Sequence, residues 1–222
     1  MRTILTILAL TISVMTYGQQ LNWGLTGRAG AVATSTKASQ PVANAPGADY
    51  TYKTGLQLGV GAWAEVSAGE RAAIQLMLLP TIRRQHAGEI YVLDPNRNPM
   101  ADAKSINLSL MAAISALYLH QLTDRFSVGA GIGTNVHLQT KTKVHLDGAL
   151  FIGGEDVNEV YNNYSYRRFP VYLPLELQLK LTETTALVGQ LQVGVSNKLA
   201  ASETDFKERD RVLQLGLNYR LH

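Results

Sequence analysis

Cysteine is absent from this chain of 222 residues, and charged residues make up only 17% of it, against about a quarter in typical globular domains. Without thiols the protein has no disulfide scaffold, no thiolate zinc site and no cysteine nucleophile. The 20 Lys and Arg residues are nearly balanced by 17 Asp and Glu and form no dense cluster, which argues against a nucleic-acid-binding surface. After the N-terminal segment no run of 18 apolar residues occurs, so the sequence predicts no transmembrane helix.

The N-terminus has the three regions of a secretory signal peptide. Arg2 makes the start positive, residues 4–15 are mainly apolar, and residues 16–20 (TYGQQ) form the region in which a signal peptidase could cut. The apolar segment is too short to cross a bilayer, which takes roughly 20 residues, and a buried N-terminal helix is the alternative interpretation. We expect residues 1–19 to be a cleaved signal peptide, with the cut after Gly18 or Gln19, and residues 20–222 to form one exported domain.

Apolar residues in that domain recur at every second position, which is the period of a β-strand and not of a helix. Between Phe169 and Leu181 every odd position is apolar, whereas the even positions carry residues such as Glu176, Gln178 and Lys180. The same pattern predicts eight strands, at about 20–34, 53–67, 71–86, 104–122, 125–141, 164–181, 185–199 and 208–222. Because a proline removes a ladder donor, we expect bulges or local distortions at Pro80, Pro170 and Pro174.

The predicted connections alternate in length. Short turns lie at 68–70, 123–124 and 182–184, and longer, polar loops lie at 35–52, 87–103, 142–163 and 200–207. Short turns at one end and long loops at the other are typical of an up-and-down barrel. The expected fold class is therefore all-β, an eight-stranded antiparallel up-and-down barrel.

Alternation by itself does not distinguish a transmembrane barrel from a soluble, lipocalin-like barrel with its apolar face inside. The polar faces here hold mainly Gly, Ser, Asn and Gln, where a solvated surface is usually dense in Lys and Glu. The apolar rows are also long enough for a tilted crossing. Four outward aromatic residues fall at the short-turn end, as in an interfacial girdle: Trp23, Tyr118, Phe126 and Tyr219. These features predict an outer-membrane β-barrel with its long loops outside the cell.

The signal peptide, the eight strands and the ending QLGLNYRLH resemble the small outer-membrane barrel proteins of Bacteroidota, of the OmpA-type and PorT-like kind. The resemblance covers the whole mature chain. It implies that Gly216, Tyr219 and Leu221 form the signal read by the barrel assembly machinery. The family pattern usually ends in an aromatic residue, and Leu221-His222 departs from it.

The strand parities also predict which charged side chains face the lumen. These are Arg28, Glu65, Arg83, Glu176, Lys180, Asp210 and Arg220. An eight-stranded barrel leaves an interior just wide enough for side chains to fill, and isolated ions there are costly, so we expect these charges to pair across the lumen and plug it. A narrow, porin-like channel is the alternative.

Five histidines raise the question of catalysis or metal binding. His120 is expected to face lipid and His222 is terminal, whereas His86, His137 and His145 lie toward the long-loop end, with Asp94, Asp102, Ser105 and Asp147. A Ser-His-acid site acting on lipid is conceivable there, but neither His-Glu-x-x-His nor Gly-x-Ser-x-Gly occurs. We expect no enzyme activity, no cofactor and no metal. Gly129, Gly131 and Gly133 lie within a predicted strand, where glycine relieves crowding, and do not form a nucleotide-binding loop.

An aromatic and basic stretch comprises Tyr161, Tyr164, Tyr166, Arg167 and Arg168. At the extracellular end it favours contact with lipid headgroups or lipopolysaccharide phosphates over nucleic acid. The expected partners are thus outer-membrane lipids and lipopolysaccharide, the barrel assembly machinery and an envelope or surface protein. The sequence predicts a non-enzymatic barrel with a structural or interaction role at the cell envelope, the alternatives being a narrow channel or, less favoured, a lipid-modifying enzyme.

Overall fold

The structure is a computed structural model that describes residues 21–38, 54–93, 99–148, 151–161, 167, 169–198 and 206–221. The predicted signal peptide and its cleavage site lie outside these residues. Within the described part of the chain, no helix is long and apolar enough to cross a membrane.

The described residues form nine β-strands. In chain order these are β1 (Leu21–Ala38), β2 (Gly55–Ser67), β3 (Ala72–Leu93), β4 (Pro99–Gln121), β5 (Phe126–Gly148), β6 (Phe151–Tyr161), β7 (Val171–Lys180), β8 (Thr185–Gly194) and β9 (Phe206–Arg220).

Eight of the strands close into an antiparallel barrel, in the order β1-β2-β3-β4-β5-β7-β8-β9 and back to β1. The closing seam is long, running from Gly24 opposite Arg220 to Ala38 opposite Phe206. The remaining strand, β6, pairs with the second half of β5, from Thr140 to Gly148. β7 pairs with the first half of β5, from Phe126 to Thr134. The expected eight-stranded antiparallel barrel is confirmed, with β6 added at its long-loop end.

The predicted loops 87–103 and 142–163 are largely wrong, because both regions contain strand. β3 and β4 continue to Leu93 and from Pro99, and β5 continues to Gly148 before β6 follows. These extensions contain register shifts, one of them between Ala87 and Ile90, and a shift reverses the parity that the sequence pattern relies on. Two other strands are shorter than predicted: β7 begins at Val171 and not at 164, and β8 ends at Gly194 and not at 199.

Two of the three prolines interrupt a ladder without shifting its register. Opposite Pro80 the β2–β3 pairing lapses between Gly59↔Thr81 and Ala62↔Leu78, and the β5–β7 pairing lapses in the same way around Pro174. Pro170 lies just before β7, and its carbonyl accepts a hydrogen bond from the Asn135 amide at 3.2 Å. The expectation of local distortion is met by gaps, since each proline removes one donor on one side of its strand.

Short turns join the barrel strands at one end, where their sequences favour tight reversal. In two of them a threonine side chain accepts a backbone bond three residues on: Thr123 Oγ1 from the Phe126 amide at 3.1 Å and Thr182 Oγ1 from the Thr185 amide at 3.0 Å. The β2–β3 turn instead uses Gly69, whose φ of 149° is unfavourable for other residues. Three strand pairs are thereby fixed in register at one rim, which is called the short-turn end below.

The outer face of the barrel wall is apolar. Large hydrophobic side chains are exposed along every barrel strand, such as Leu58 (63%), Ile132 (58%) and Leu215 (64%). The alternate positions point inward and are buried, among them Gln57, Gln75 and Gln214. An apolar exterior around a largely polar interior is the pattern of a transmembrane barrel and the inverse of a soluble one.

Candidate functional site

The lumen near its centre is organised around Glu176 of β7, which is 1% exposed. Its carboxylate accepts hydrogen bonds from Arg28 Nη1 of β1 at 2.8 Å, Gln190 Nε2 of β8 at 2.6 Å and Gln178 Nε2 at 2.7 Å. Arg28 also donates from Nε to Thr26 Oγ1 at 3.3 Å. A buried carboxylate that forms an ion pair and accepts two amide bonds has the compensation that burial of a charge requires. We call these residues, Thr26, Arg28, Glu176, Gln178 and Gln190, the central cluster.

Hydrogen bonds continue from the central cluster to the opposite side of the wall. Gln178 Nε2 approaches Gln75 Oε1 of β3 at 3.5 Å, and Gln75 Nε2 approaches Glu65 Oε2 of β2 at 3.5 Å. On the other side Gln192 Nε2 donates to Gln190 Oε1 at 2.8 Å. Since β1 and β3 are each three strands away from β7 around the barrel, this chain of polar contacts crosses the bore.

A second set of ion pairs lies closer to the long-loop end. Asp210 of β9 pairs with Arg83 of β3 and with Lys198 at 3.2 Å, and accepts a hydrogen bond from Thr34 Oγ1 at 2.6 Å. Lys198 also pairs with Glu208 at 3.1 Å. Arg83 donates twice to Gln57 Oε1, at 3.1 and 2.9 Å. We call Arg83, Lys198, Glu208 and Asp210 the upper cluster, and it too joins strands on separate sides of the barrel.

The seven charges predicted to face the lumen do not form one network. Arg28 and Glu176 lie in the central cluster, and Arg83 and Asp210 in the upper one. Glu65, Lys180 and Arg220 instead line an opening at the short-turn end. The sequence analysis missed Lys198 and Glu208. Both were detectable, because Glu208 has the inward parity of Asp210 and Lys198 has that of Gln190 and Gln192 within the predicted strand 185–199. In the structure Lys198 lies beyond the end of β8.

Part of the lumen is apolar, which the sequence analysis also missed. Met77, Leu79 and Ala113 form a buried cluster on β3 and β4, and Leu117 and Met111 of β4 are buried nearby in sequence. The amides and charges lie mainly on the strands opposite. The interior therefore has an apolar side and a polar side. The sequence contains a signal for the apolar side, because the inward positions of β3 and β4 carry several apolar residues.

Glycines make room for the larger lumen side chains. A Cβ at Gly133 would lie 2.6 Å from Tyr172 Oη, and one at Gly216 would lie 2.8 Å from Arg28 Cγ. Both are closer than carbon contacts allow. Gly216, predicted as part of the assembly signal, therefore also provides the space in which Arg28 reaches Glu176.

A cavity of about 230 Å³ opens at the short-turn end. Its walls include Trp63, Gln75, Leu119, Gln178 and Lys180. Trp63 is fixed there by a hydrogen bond from Nε1 to the Leu25 carbonyl at 3.1 Å. A much smaller cavity of about 20 Å³ lies beside the upper cluster, next to His137 and Tyr172.

The histidines do not converge. His86 is exposed on the outer face of β3, and His137 lies on the inner face of β5, so the wall separates them. His120 is exposed on the outside of β4. The side chains of His145, Asp102, Ser105 and Asp147, and all of Asp94 and His222, lie outside the described residues. Among the side chains that are described, no three His, Asp or Glu residues form a group able to hold a metal ion.

The four aromatic residues of the predicted girdle lie near the short-turn end. Trp23, Tyr118 and Tyr219 are each about half exposed on the outer wall, and Phe126 is half-buried at the start of β5. Leu221 directly follows β9, and its amide donates to the Trp23 carbonyl at 2.9 Å. Of the aromatic and basic stretch, Arg167 is exposed, whereas the side chains of Tyr161, Tyr164, Tyr166 and Arg168 lie outside the described residues.

No protein-family model and no curated protein sequence matches the chain. Matching solved structures include Ail, the attachment invasion locus protein of Yersinia pestis, at 11% identity and a TM-score of 0.39, covering 90% of this chain and 99% of that one. Neisserial surface protein A matches at 14% identity and a TM-score of 0.42 (91% and 98% covered). The outer membrane protein OprG from Pseudomonas aeruginosa matches at 13% and 0.42 (92% and 97% covered). The strand pairing and the exposed apolar wall show that this chain is an antiparallel transmembrane β-barrel.

Proposed function

We propose that this protein is an outer-membrane barrel, exported by a cleaved signal peptide, with a lumen plugged by its own side chains and a structural or interaction role at the cell envelope. It acts neither as an enzyme nor as a channel. The short turns face the periplasm and the long loops face outward. Function then resides in the outer wall and in the long-loop end, because the bore carries nothing through.

The observation that carries this proposal is the burial of polar side chains across the bore. Glu176, Gln190, Gln192 and Gln214 are each at most 1% exposed, and they hydrogen-bond to one another or to Arg28. Side chains lining an open pore would be hydrated and accessible. Charges paired at this depth support an interior that is filled by the protein, as an eight-stranded barrel permits.

The partners we propose follow from the same placement. The girdle of Trp23, Tyr118, Phe126 and Tyr219 would contact the inner interface of the membrane, and outer-membrane lipids and lipopolysaccharide would surround the wall. Gly216, Tyr219 and Leu221 would present the last strand to the barrel assembly machinery, as their resemblance to OmpA-type and PorT-like barrels of Bacteroidota implies. A surface or envelope protein would bind at the long-loop end.

Solute permeation tests the plugged lumen. Proteoliposomes containing the refolded barrel are diluted into an isotonic solution of a small sugar, and their swelling is followed by light scattering. We expect the swelling rate of protein-free vesicles. Swelling that increases with the amount of barrel would support the narrow channel instead.

The enzymatic alternative has its own test. Outer-membrane lipids incubated with the refolded barrel are compared by mass spectrometry with lipids incubated alone, and we expect identical acyl-chain profiles. Altered acyl chains that disappear in His86→Ala or His137→Ala would establish a lipid-modifying enzyme.

Cell fractionation with surface proteolysis tests the proposed location in the outer membrane, and recovery as a soluble periplasmic protein would contradict it.

A further inference from the structure

The exposed apolar residues of the outer wall form a band around the barrel. Just beyond this band, toward the long-loop end, the exposed residues become basic. There β3 and β5 carry four exposed basic side chains: Arg84, His86, Lys141 and Lys143. We call these four residues the basic patch. Arg83 and Arg84 are adjacent in the chain but face opposite sides of the wall. Arg83 points inward to Asp210, and Arg84 points outward.

Strand register brings the basic patch together around β4. Arg84 and Lys141 lie opposite Leu108 from its two sides, and His86 and Lys143 lie opposite Ile106 in the same way. Neighbouring strands are about 4.8 Å apart and alternate residues about 7 Å apart, so the four Cα atoms outline a rectangle of about 10 by 7 Å. That is the size of a phosphate group with room for its donors.

The apolar wall continues directly from the basic patch. One row closer to the short turns, Leu58, Ile82 and Leu110 lie side by side on β2, β3 and β4, and all three are exposed. A ligand on the basic patch therefore has an apolar surface extending from it into the membrane. This continuity separates the basic patch from an ordinary solvated cluster of lysines.

Protein carboxylates do not neutralise the basic patch in the part of the chain that the structure describes. None of the ion pairs between described residues includes Arg84, Lys141 or Lys143. Glu208 and Asp210, which lie toward the same end of the barrel on β9, point inward to Lys198 and Arg83. The short-turn end differs, because its turns interleave both signs, as in Glu70-Arg71 and Asp124-Arg125.

We propose that the basic patch binds the phosphate groups of an anionic, phosphate-bearing lipid of the surrounding leaflet, whose acyl chains lie along Leu58, Ile82 and Leu110. Arg84 and Lys141 hold one phosphate between them, and His86 and Lys143 supply further donors one row above. Charge complementarity and contact with the membrane select a lipid over a soluble polyanion, which would gain nothing from the apolar row. The lipid site rests on the proposed membrane location but not on the plugged lumen.

The test is native mass spectrometry of the purified barrel in detergent with diphosphoryl lipid A as the probe and phosphatidylethanolamine as the zwitterionic comparison. The patch variant is Arg84→Gln/Lys141→Gln. The matched control is Arg71→Gln/Arg125→Gln, which removes two exposed positive charges at the short-turn end. The shift in electrophoretic mobility between heated and unheated samples shows that each variant is folded.

We expect the wild-type barrel to retain diphosphoryl lipid A in preference to phosphatidylethanolamine, and the patch variant to bind it at least about tenfold more weakly, since two cations near a membrane surface are removed. The control should bind as the wild type does. Equal binding by the patch variant and the wild type, or an equal loss in the control, would overturn the proposal. If the double variant does not refold, the single variants Arg84→Gln and Lys141→Gln are used instead, and we expect each to lose part of the binding to diphosphoryl lipid A. A conducting barrel with this binding pattern would refute the plugged lumen and leave the lipid site intact.

Discussion

At the scale of single residues, the interior depends on a few groups that satisfy one another. Glu176 accepts from Arg28, Gln178 and Gln190 at distances of 2.6 to 2.8 Å. Its carboxylate is the only group within this cluster that balances the Arg28 charge. The stability of the bore should therefore respond to the loss of a single charge more than to the loss of both.

Glu176→Gln keeps the shape of the side chain and removes its charge, which leaves the Arg28 guanidinium buried and unpaired. We expect the free energy of unfolding to fall by about 3–5 kcal/mol. Adding Arg28→Gln should restore more than half of that loss, because the double variant buries no charge in the cluster. Urea titrations of the barrel in lipid vesicles measure both, and a double variant less stable than Glu176→Gln would contradict the pairing.

Gly133 tests the packing of Tyr172, which is 3% exposed. A methyl group at Gly133 would overlap the tyrosine ring, whereas one at Gly189 would meet its nearest neighbour, Leu215, at 3.7 Å. Gly133→Ala should therefore lower the free energy of unfolding by about 1–3 kcal/mol, and Gly189→Ala should not lower it. The same vesicle titrations compare them, and equal stability of the two variants would show that Tyr172 is not confined.

At the scale of the strands, alternation decides which side chains face lipid and which face the lumen. In β7 the exposed row Leu173, Leu175, Leu177 alternates with the inward residues Pro174, Glu176 and Gln178. The two rows lie in media of opposite polarity only a residue apart along the chain. A charge placed on one row or on the other should thus have very different effects.

Leu175→Arg places a cation on the lipid-facing side of β7, and we expect it to lower the free energy of unfolding by about 2–4 kcal/mol. Gln178→Arg places the same cation inside, next to the Glu176 carboxylate that Gln178 contacts at 2.7 Å, and should lower the stability far less. Refolding into vesicles compares the two variants. Similar losses would mean that the facing of β7 is wrong.

The β5–β6 extension is an addition to the barrel and not part of its closure. β6 pairs with β5 beyond Thr140, and β7 joins β5 between Phe126 and Thr134. Replacing residues 142–161 with a four-residue Gly-Ser linker removes β6 and the part of β5 that pairs with β4 between Ala101 and Asn107, but it keeps the β5–β7 pairing that closes the barrel. We therefore expect the shortened chain to refold into vesicles. Failure of the shortened chain to refold would show that the extension is needed to close the wall.

The sequence predicted the strands best where they cross the apolar band. Strand number, antiparallel order and the inward facing of Arg28, Arg83, Glu176 and Asp210 follow from alternation, because lipid on one side keeps the parity strict. The extensions beyond residue 87 and after 142 lie outside that constraint. A bulge at Leu138 of β5, opposite Leu110 and Met111, also changes the parity of β5 in a way that composition does not reveal. The pairing of Arg28 with Glu176 and of Arg83 with Asp210 depends on the stagger of strands that are far apart in the chain, which alternation does not encode.

At the scale of the whole molecule, charge is distributed by environment. Ion pairs fill the interior, the outer wall within the membrane is apolar, and the exposed charges just above the band on β3, β5 and β9 are basic, as in Arg84, Lys141, Arg209 and Arg211. The short-turn end carries both signs and an open cavity of about 230 Å³, which Gln75 and Gln178 help to line. The molecule is thus open at one rim and, as we propose, impassable at its centre.

Single-channel recording in planar bilayers tests that impassable centre most directly. The refolded barrel is inserted under a fixed voltage, with a general porin inserted under the same conditions as the positive control. Because the bore is filled by the central and upper clusters, we predict the current of an unmodified bilayer, without discrete steps. Steady and reproducible unitary currents that scale with salt concentration would contradict the plugged lumen and identify the protein as a narrow channel.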